Sequence, residues 1–422
     1  NPLKPNVYQR HTGDVACDHY NRYKEDVGIM KSIGLKAYRF SIAWTRVMPD
    51  GTGPVNAKGL DFYDRLVNEL LASGITPYAT LFHWDYPEAL YRRGGWLNRE
   101  SVKWFSDYTQ AVADRLGDRV KNWMTLNEPQ VFLQFGHADA HNAPGLRLAT
   151  RELLVACHHA LMSHGAAVQV LRARCKGVQS IGFAPVCVTK YPATDSAQDQ
   201  KAAIDTMGSV TERNIWNNTW YADAIVKGHY PEDGVKLFGA DSPTPQPGDM
   251  ELISQKIDFI GVNIYEGTPM RMGASGKPEA AERAPTHPTT AFRWPVEPKS
   301  LHWGPRFTYE RYKLPVYITE NGMSGIDWVS MDGKVHDPQR IDFTRRYLLE
   351  LRNAIRAGSD IRGYFHWSIL DNFEWSQGYK ERFGLVHVDY TTQKRTPKDS
   401  AHWYSKVIAS NGAHLDQEPF PA

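Results

Sequence analysis

The chain lacks an excess of charge of either sign. Its 49 Lys and Arg face 47 Asp and Glu, a formal net charge of +2 over 422 residues. Such a chain sets up no strong field, so neither a nucleic acid nor a membrane surface is expected as a partner. Paired cysteines are missing too. Cys17, Cys157, Cys175 and Cys187 form no CxxC pair and no zinc-like spacing, and free buried thiols are expected. His158, His159 and His164 share one helical pattern but do not match HExxH, so no metal site is expected from them. There is no run of about 18 apolar residues, the length a membrane-spanning helix requires. No signal-peptide pattern is present, and a cytoplasmic location is expected. Asn217-Asn218-Thr219 is a glycosylation sequon by letter, set in a helical stretch. Internal repeats and linker-like stretches are also missing. A single domain over residues 1–422 follows, with no pointer to an oligomeric state.

Hydrophobic residues are plentiful at 41%, enough for a large core, and aromatics reach 12%, with 13 Trp and 21 Tyr. Rings supply core volume and also flat faces on which sugars stack. Strand-like runs at 37–42, 75–82, 121–127, 180–184, 257–263, 315–320 and 361–367 alternate with helical patterns. The helical patterns lie near 20–33, 57–73, 98–116, 150–173, 198–228, 339–356 and 398–408. Gly34 and Gly74 stop the first two helices, and Asn56 caps the second. Strand and helix in alternation mean a parallel sheet, and this length favours an α/β (β/α)8 barrel. Residues 266–298, rich in Gly, Pro, Ala and Thr, read as an irregular excursion lining a substrate entrance. The count stops at seven strands, whereas a closed barrel of this kind needs eight. Residues 1–13, with Pro2 and Pro5, are poor strand material. Either the first strand lies outside these residues, or the barrel closes in an unusual way.

Two stretches stand out. In Thr125-Leu126-Asn127-Glu128-Pro129 and Ile318-Thr319-Glu320-Asn321-Gly322, a strand-like run ends in a glutamate and then breaks. A glutamate at the C-terminal tip of a barrel strand lies on the face where such folds carry their active sites. Each alone reads more readily as a structural salt bridge. Two together suit glycoside chemistry, in which one carboxyl of raised pKa protonates the leaving oxygen and the other attacks or activates water.

From about Gly13 to Ile408 the chain resembles family 1 glycoside hydrolases, the β-glucosidase and β-galactosidase family. The resemblance rests on these two stretches with Asp18-His19-Tyr20, Tyr38-Arg39-Phe40-Ser41-Ile42, His83-Trp84-Asp85, Trp367-Ser368-Ile369-Leu370-Asp371-Asn372-Phe373-Glu374-Trp375, Arg382-Phe383-Gly384-Leu385 and Lys394-Arg395-Thr396-Pro397-Lys398-Asp399-Ser400. It implies a retaining exo-β-glycosidase that needs no cofactor and takes a small β-glucoside or oligosaccharide. Glu128 would be the acid/base and Glu320 the nucleophile, with their carboxyl carbons roughly 5–5.5 Å apart. Asn127, His83, Trp367, Glu374 and Trp375 would bind the sugar, Arg39 and Tyr265 would hold Glu320, and Asn263 and Phe383 would stand behind them. A glutamate at 128 favours O-glycosides over thioglycosides. The carboxylate of Glu374 would repel a 6-phosphate and so implies a neutral sugar. Glucose is favoured, with galactose and fucose open. A transglycosidase and a non-catalytic carbohydrate-binding relic are the alternatives. Two departures stand out. Nothing in residues 1–13 matches the family's first strand and its sugar-binding Gln, since Gln9 has the wrong context. Tyr86 replaces a usual Leu near the expected pocket mouth.

Overall fold

The computed structural model describes residues 6–419. Its main sheet has seven parallel strands in chain order: β1 Ala37–Ser41, β2 Thr76–Phe82, β3 Asn122–Asn127, β4 Ser180–Ala184, β5 Phe259–Asn263, β6 Val316–Asn321 and β7 Ile361–His366. Helices cover the outside: α1 His19–Ile33, α2 Ala57–Ala72, α3 Ser101–Leu116, α4 Thr150–Arg174, α5 Thr219–Lys227, α6 Ser300–Tyr312, α7 Pro338–Arg356 and α8 Asp399–Ala409. This is the (β/α)8-barrel architecture with seven strands in its sheet. None of the described helices is long and apolar enough to cross a membrane.

The sequence dictates this layering. All five residues of β5 and five of the six in β3 are buried. A strand covered on both faces carries a continuous apolar run rather than an alternating one. On α2, Leu60, Tyr63, Leu66, Val67 and Leu70 form one buried stripe. Gly34 ends α1 in the left-handed region at φ 88°, where its N–H bonds the carbonyls of Met30 and Lys31. Asn56 does precede α2, but its side chain makes no cap and donates to the Arg46 carbonyl instead.

Among the described residues the ring of strands does not close. β1 pairs with β2 and β7 with β6, and no described strand bridges β1 and β7. Both edge strands are correspondingly more exposed than the strands inside the sheet. A cavity of about 1250 Å³ fills the seam, lined by both edges and reaching Arg39, His83, Trp367 and Trp375. Residues 1–5 of the expected N-terminal loop lie outside the described residues. From Asn6 onward the chain packs against the loop after β7, where the Tyr379 N–H donates to His11 Nδ1 and the Tyr379 hydroxyl to the Thr12 carbonyl. Gln9 is exposed and far from any pocket role, donating to the Tyr8 hydroxyl.

The excursion at 266–298 is more ordered than its composition suggests. Thr268–Met272 and Pro278–Ala280 form a hairpin that joins Lys190–Pro192 in a small second sheet. Tyr86 is not at a pocket mouth. Its ring packs among Trp44, Phe82 and Trp96, with centroids 5.0–6.2 Å away. The histidines of α4 are structural: His158 bonds Asp249 and Tyr230, His159 the Trp96 carbonyl, and His164 the Thr125 hydroxyl. All four cysteines are free, three of them buried.

Candidate active site

Because the strands are parallel, their C-terminal ends share one face. Arg39 rises from β1, His83 follows β2, Asn127 ends β3 and Glu128 follows it, Asn263 ends β5, Glu320 lies near the end of β6, and Trp367 follows β7. Glu128 turns at φ 45° into the short helix Pro129–Leu133, with Pro129 at its first position. Its own N–H donates to the Ala184 carbonyl at 2.7 Å, which anchors the turn. Trp84 and Trp375 also have positive φ, at 82° and 45°. Non-glycine residues persist in that region where surrounding contacts hold them, a pattern concentrated at active sites.

The two glutamates are buried, at 6% and 4% exposure, and joined through neutral amides and one guanidinium. Arg39 Nη1 donates to Glu320 Oε1 at 2.7 Å, and Tyr265 Oη donates to Oε2 at 2.7 Å. Arg39 Nη2 reaches Asn127 Oδ1 at 2.6 Å. Asn263 Nδ2 donates both to that oxygen, at 3.1 Å, and to Glu128 Oε1, at 2.8 Å. Thr319 Oγ1 donates to Asn263 Oδ1 at 2.6 Å, which fixes the orientation of the amide. Asn263, expected behind the site, thus touches the Glu128 carboxyl directly.

The carboxyls differ in what surrounds them. Burial pushes Glu128 well above the usual carboxyl range, and the charge of Glu320 pushes the same way; the Asn263 bond and Arg39 oppose both. Glu320 instead meets two donors, the arrangement a carboxylate anion accepts. Burial, then the neighbouring Glu320 and Glu128 charges, hold Tyr265 far above the ordinary phenol value, so it remains a donor. Burial, aided by Arg39, holds His83 well below the usual imidazole value and therefore neutral at pH 7.

One wall is aromatic. The His83 ring lies near-parallel to Trp367 at 5.9 Å and to Trp375 at 6.2 Å, and Trp84 meets Trp375 at 4.9 Å. Asn127 Nδ2 lies 3.1 Å from His83 Nε2, and Trp84 Nε1 donates to the Asn127 carbonyl at 3.1 Å. Glu374 stands beside this wall. Burial, followed by the charge of Glu320, pushes its pKa up to about 8, while a bond from Trp367 opposes. Phe383 is 2% exposed and packs with Tyr265, Phe292 and Trp294.

The structure therefore brings together the residues that the resemblance assigned to the acid/base pair, the sugar and their support, leaves out Tyr86 and Gln9, and adds others. Thr319 and Trp84 sit inside quoted motifs, and only their contacts show what they do. Phe292 and Trp294, both half-buried, come from the irregular excursion, where no periodicity marks a packed ring. Phe135 and Trp216 stack at 5.3 Å and 22° on the loops that follow β3 and β4, each half-buried. Among the described residues no group of His, Cys, Asp and Glu is arranged to hold a metal ion.

A carboxyl that keeps its proton, coupled through amides to one that accepts, is the division of labour that cleavage of a glycosidic bond requires. That chemistry, at the C-terminal face of a parallel barrel, defines a glycoside hydrolase. Comparison with known proteins agrees. The model of glycosyl hydrolase family 1 matches residues 3–413. β-Glucosidase A of Thermotoga maritima is 44% identical over 412 residues, 96% of this chain and 90% of that protein. β-Glucosidase A of Acetivibrio thermocellus is 42% identical, again over 96% and 90%. The solved family 1 β-glucosidase of Thermotoga maritima superposes with a TM-score of 0.87 at 44% identity, covering 96% of this chain and 89% of that one. The chain belongs to glycosyl hydrolase family 1.

Proposed function

We propose that the chain is a retaining exo-β-glucosidase in which Glu320 is the nucleophile and Glu128 the acid/base. The observation that carries this reading is the asymmetry of the linked pair: Glu128 buried and proton-retaining, Glu320 receiving Arg39 and Tyr265. In the first step a Glu320 oxygen attacks the anomeric carbon. The bond to the aglycone breaks, and the Glu128 proton passes to the departing oxygen. In the second step Glu128 takes a proton from water, whose oxygen displaces Glu320 and releases the sugar. Retention requires carboxyl groups roughly 5–5.5 Å apart. Asn127 is assigned to the 2-hydroxyl, where a hydrogen bond strengthens as the ring approaches the oxocarbenium ion. His83, Glu374 and Trp375 are assigned to other hydroxyls and Trp367 to the ring face. Glucose is favoured by the relatives' names, β-glucosidase in Thermotoga maritima and 1,4-beta-D-glucan glucohydrolase in Thermotoga neapolitana. Solved Thermotoga maritima complexes with glucoimidazole and deoxynojirimycin point the same way.

The test is covalent trapping. Incubation with a 2-deoxy-2-fluoro-β-D-glucoside bearing a dinitrophenolate leaving group should add one fluoroglucosyl unit to the protein, mapped to Glu320. An adduct elsewhere, or turnover of β-glucosides with inversion, would overturn the reading. Glu320→Gly should abolish turnover. Glu128→Ala should spare the first step for substrates with good leaving groups, and an equal loss on every substrate would refute its assigned role.

A further inference from the structure

The loop bearing Trp367, Glu374 and Trp375 has little regular structure of its own, a single 3-10 turn at Trp375–Gln377. Six charges beneath it form a closed set. Three cations, Arg340, Arg382 and Lys398, face three carboxylates, Asp327, Asp337 and Asp371. Asp371 and Lys398 are fully buried and Arg340 is 1% exposed.

Asp371 is the hub. Its Oδ1 accepts from Lys398 Nζ at 2.8 Å and from the Gly384 N–H at 2.9 Å. Its Oδ2 accepts from Arg382 Nη1 at 2.6 Å. Lys398 Nζ also donates to Asp327 Oδ2 at 2.5 Å, and Arg340 Nη2 donates to the same oxygen at 2.7 Å. Arg340 further donates to Asp337, whose oxygens accept from Ser400. Burial pushes Asp327 up, but Arg340 and Lys398 outweigh it and hold the carboxyl below its ordinary value.

The set joins two loops of the site. Asp371 stands four residues after Trp367 and three before Glu374, while Asp327 belongs to the loop that follows Glu320. The Arg382 carbonyl accepts from the Gly325 N–H and from Arg340 Nη2, both at 2.9 Å, so the backbones are tied as well as the side chains. A buried ionic set is a weak source of net stability, because apolar replacements often do as well. What such a set supplies is geometry, since every member must be satisfied together.

We propose that Asp371, clamped by Lys398 and Arg382, is a positioning residue that sets Glu374 and Trp375 at a fixed distance from Glu320. The proposal rests on the assignment of those residues to sugar binding. Asp371→Asn keeps the shape and removes the charge. Against an aryl β-D-glucoside it should raise KM at least tenfold and weaken inhibition by glucose by a similar factor. The second readout is a double-mutant cycle with Glu374→Gln. If Asp371 acts through Glu374, the joint loss in kcat/KM falls at least tenfold short of the product of the single losses. Paired with Trp216→Ala, on a separate loop, the losses should multiply. Should Asp371→Asn fail to fold, Arg382→Lys carries the same cycle with a milder KM effect. A lowered melting temperature with KM unchanged, or losses that multiply with Glu374→Gln, would overturn the proposal. Lack of turnover by the parent chain would strike the glucosidase reading instead.

Discussion

At the scale of single residues, the site joins a proton-retaining carboxyl to one that receives two donors. Asn263 does this with one amide: its N–H groups serve Glu128 and Asn127, and its oxygen is occupied by the Thr319 hydroxyl. A flipped amide would set its oxygen against Asn127 Oδ1, acceptor against acceptor. The consequence for pH dependence follows from which form each carboxyl favours. Glu128 must carry its proton in the first step, and burial with the Glu320 charge keeps that proton on above the usual carboxyl range. The alkaline limb of kcat/KM should therefore report its loss, and the acid limb the protonation of the nucleophile, giving a bell. A flat profile from pH 4 to 9 would contradict the role split. Glu374 makes a separate prediction, on stability. Its folded-state pKa is raised from 4.5 to about 8, so the folded form holds the proton more tightly. Its contribution is fully present below about pH 4.5 and is lost as pH rises through about 8. Glu374→Gln should thus gain melting temperature relative to the parent between pH 5 and 9. A difference in melting temperature independent of pH would refute that environment.

At the scale of elements, the ends of β6 and β7 are packed backbone to backbone. A Cβ at Gly322 would stand 2.0 Å from the Trp367 carbonyl oxygen, with no flexible side chain to yield. Gly322→Ala should push the Trp367 loop away from Glu320 and lower kcat/KM by at least about tenfold, roughly 1.4 kcal/mol of transition-state stabilisation. Unchanged kinetics would mean that the two strand ends move freely. The elements themselves were largely legible. Buried parallel strands are unbroken apolar runs, and Pro129 and Asn321-Gly322 mark where two of them stop, so both glutamates could be placed at strand tips from the sequence. The hairpin Thr268–Met272 with Pro278–Ala280 was not legible, because its strands are short, each contains a proline, and burial at the adjacent Pro269 and Met270 follows no alternation. Nor was the Asp371–Lys398 network. Its members are scattered from 327 to 398, and a charged residue in a sequence carries no mark of burial. Tyr86 has a different reason: the family resemblance put it near the pocket mouth, while its half-buried ring packs against Phe82 and Trp96.

At the scale of the whole molecule, the described residues supply seven barrel strands, the number that the count of apolar runs gave, and leave a seam between β1 and β7. The Lys36 carbonyl and the Ile42 N–H bond to β2, so Ala37, Arg39 and Ser41, which alternate with them, turn their backbone groups toward the cavity. Arg39 therefore holds Glu320 and Asn127 from a strand supported on one side only. The seam cavity reaches one wall of the site, lined by Arg39, His83, Trp367 and Trp375, although the two glutamates do not line it. Amide hydrogen exchange tests this directly. With the edge free, the N–H groups of Ala37 and Ser41 should exchange at least about 100-fold faster than those of Trp123 and Met124 in the covered strand β3, since unpaired edge amides open at little cost. Protection of Ala37 and Ser41 equal to that of β3 would show instead that an extended strand occupies the seam in solution, and that Arg39 is braced from both sides when the nucleophile works.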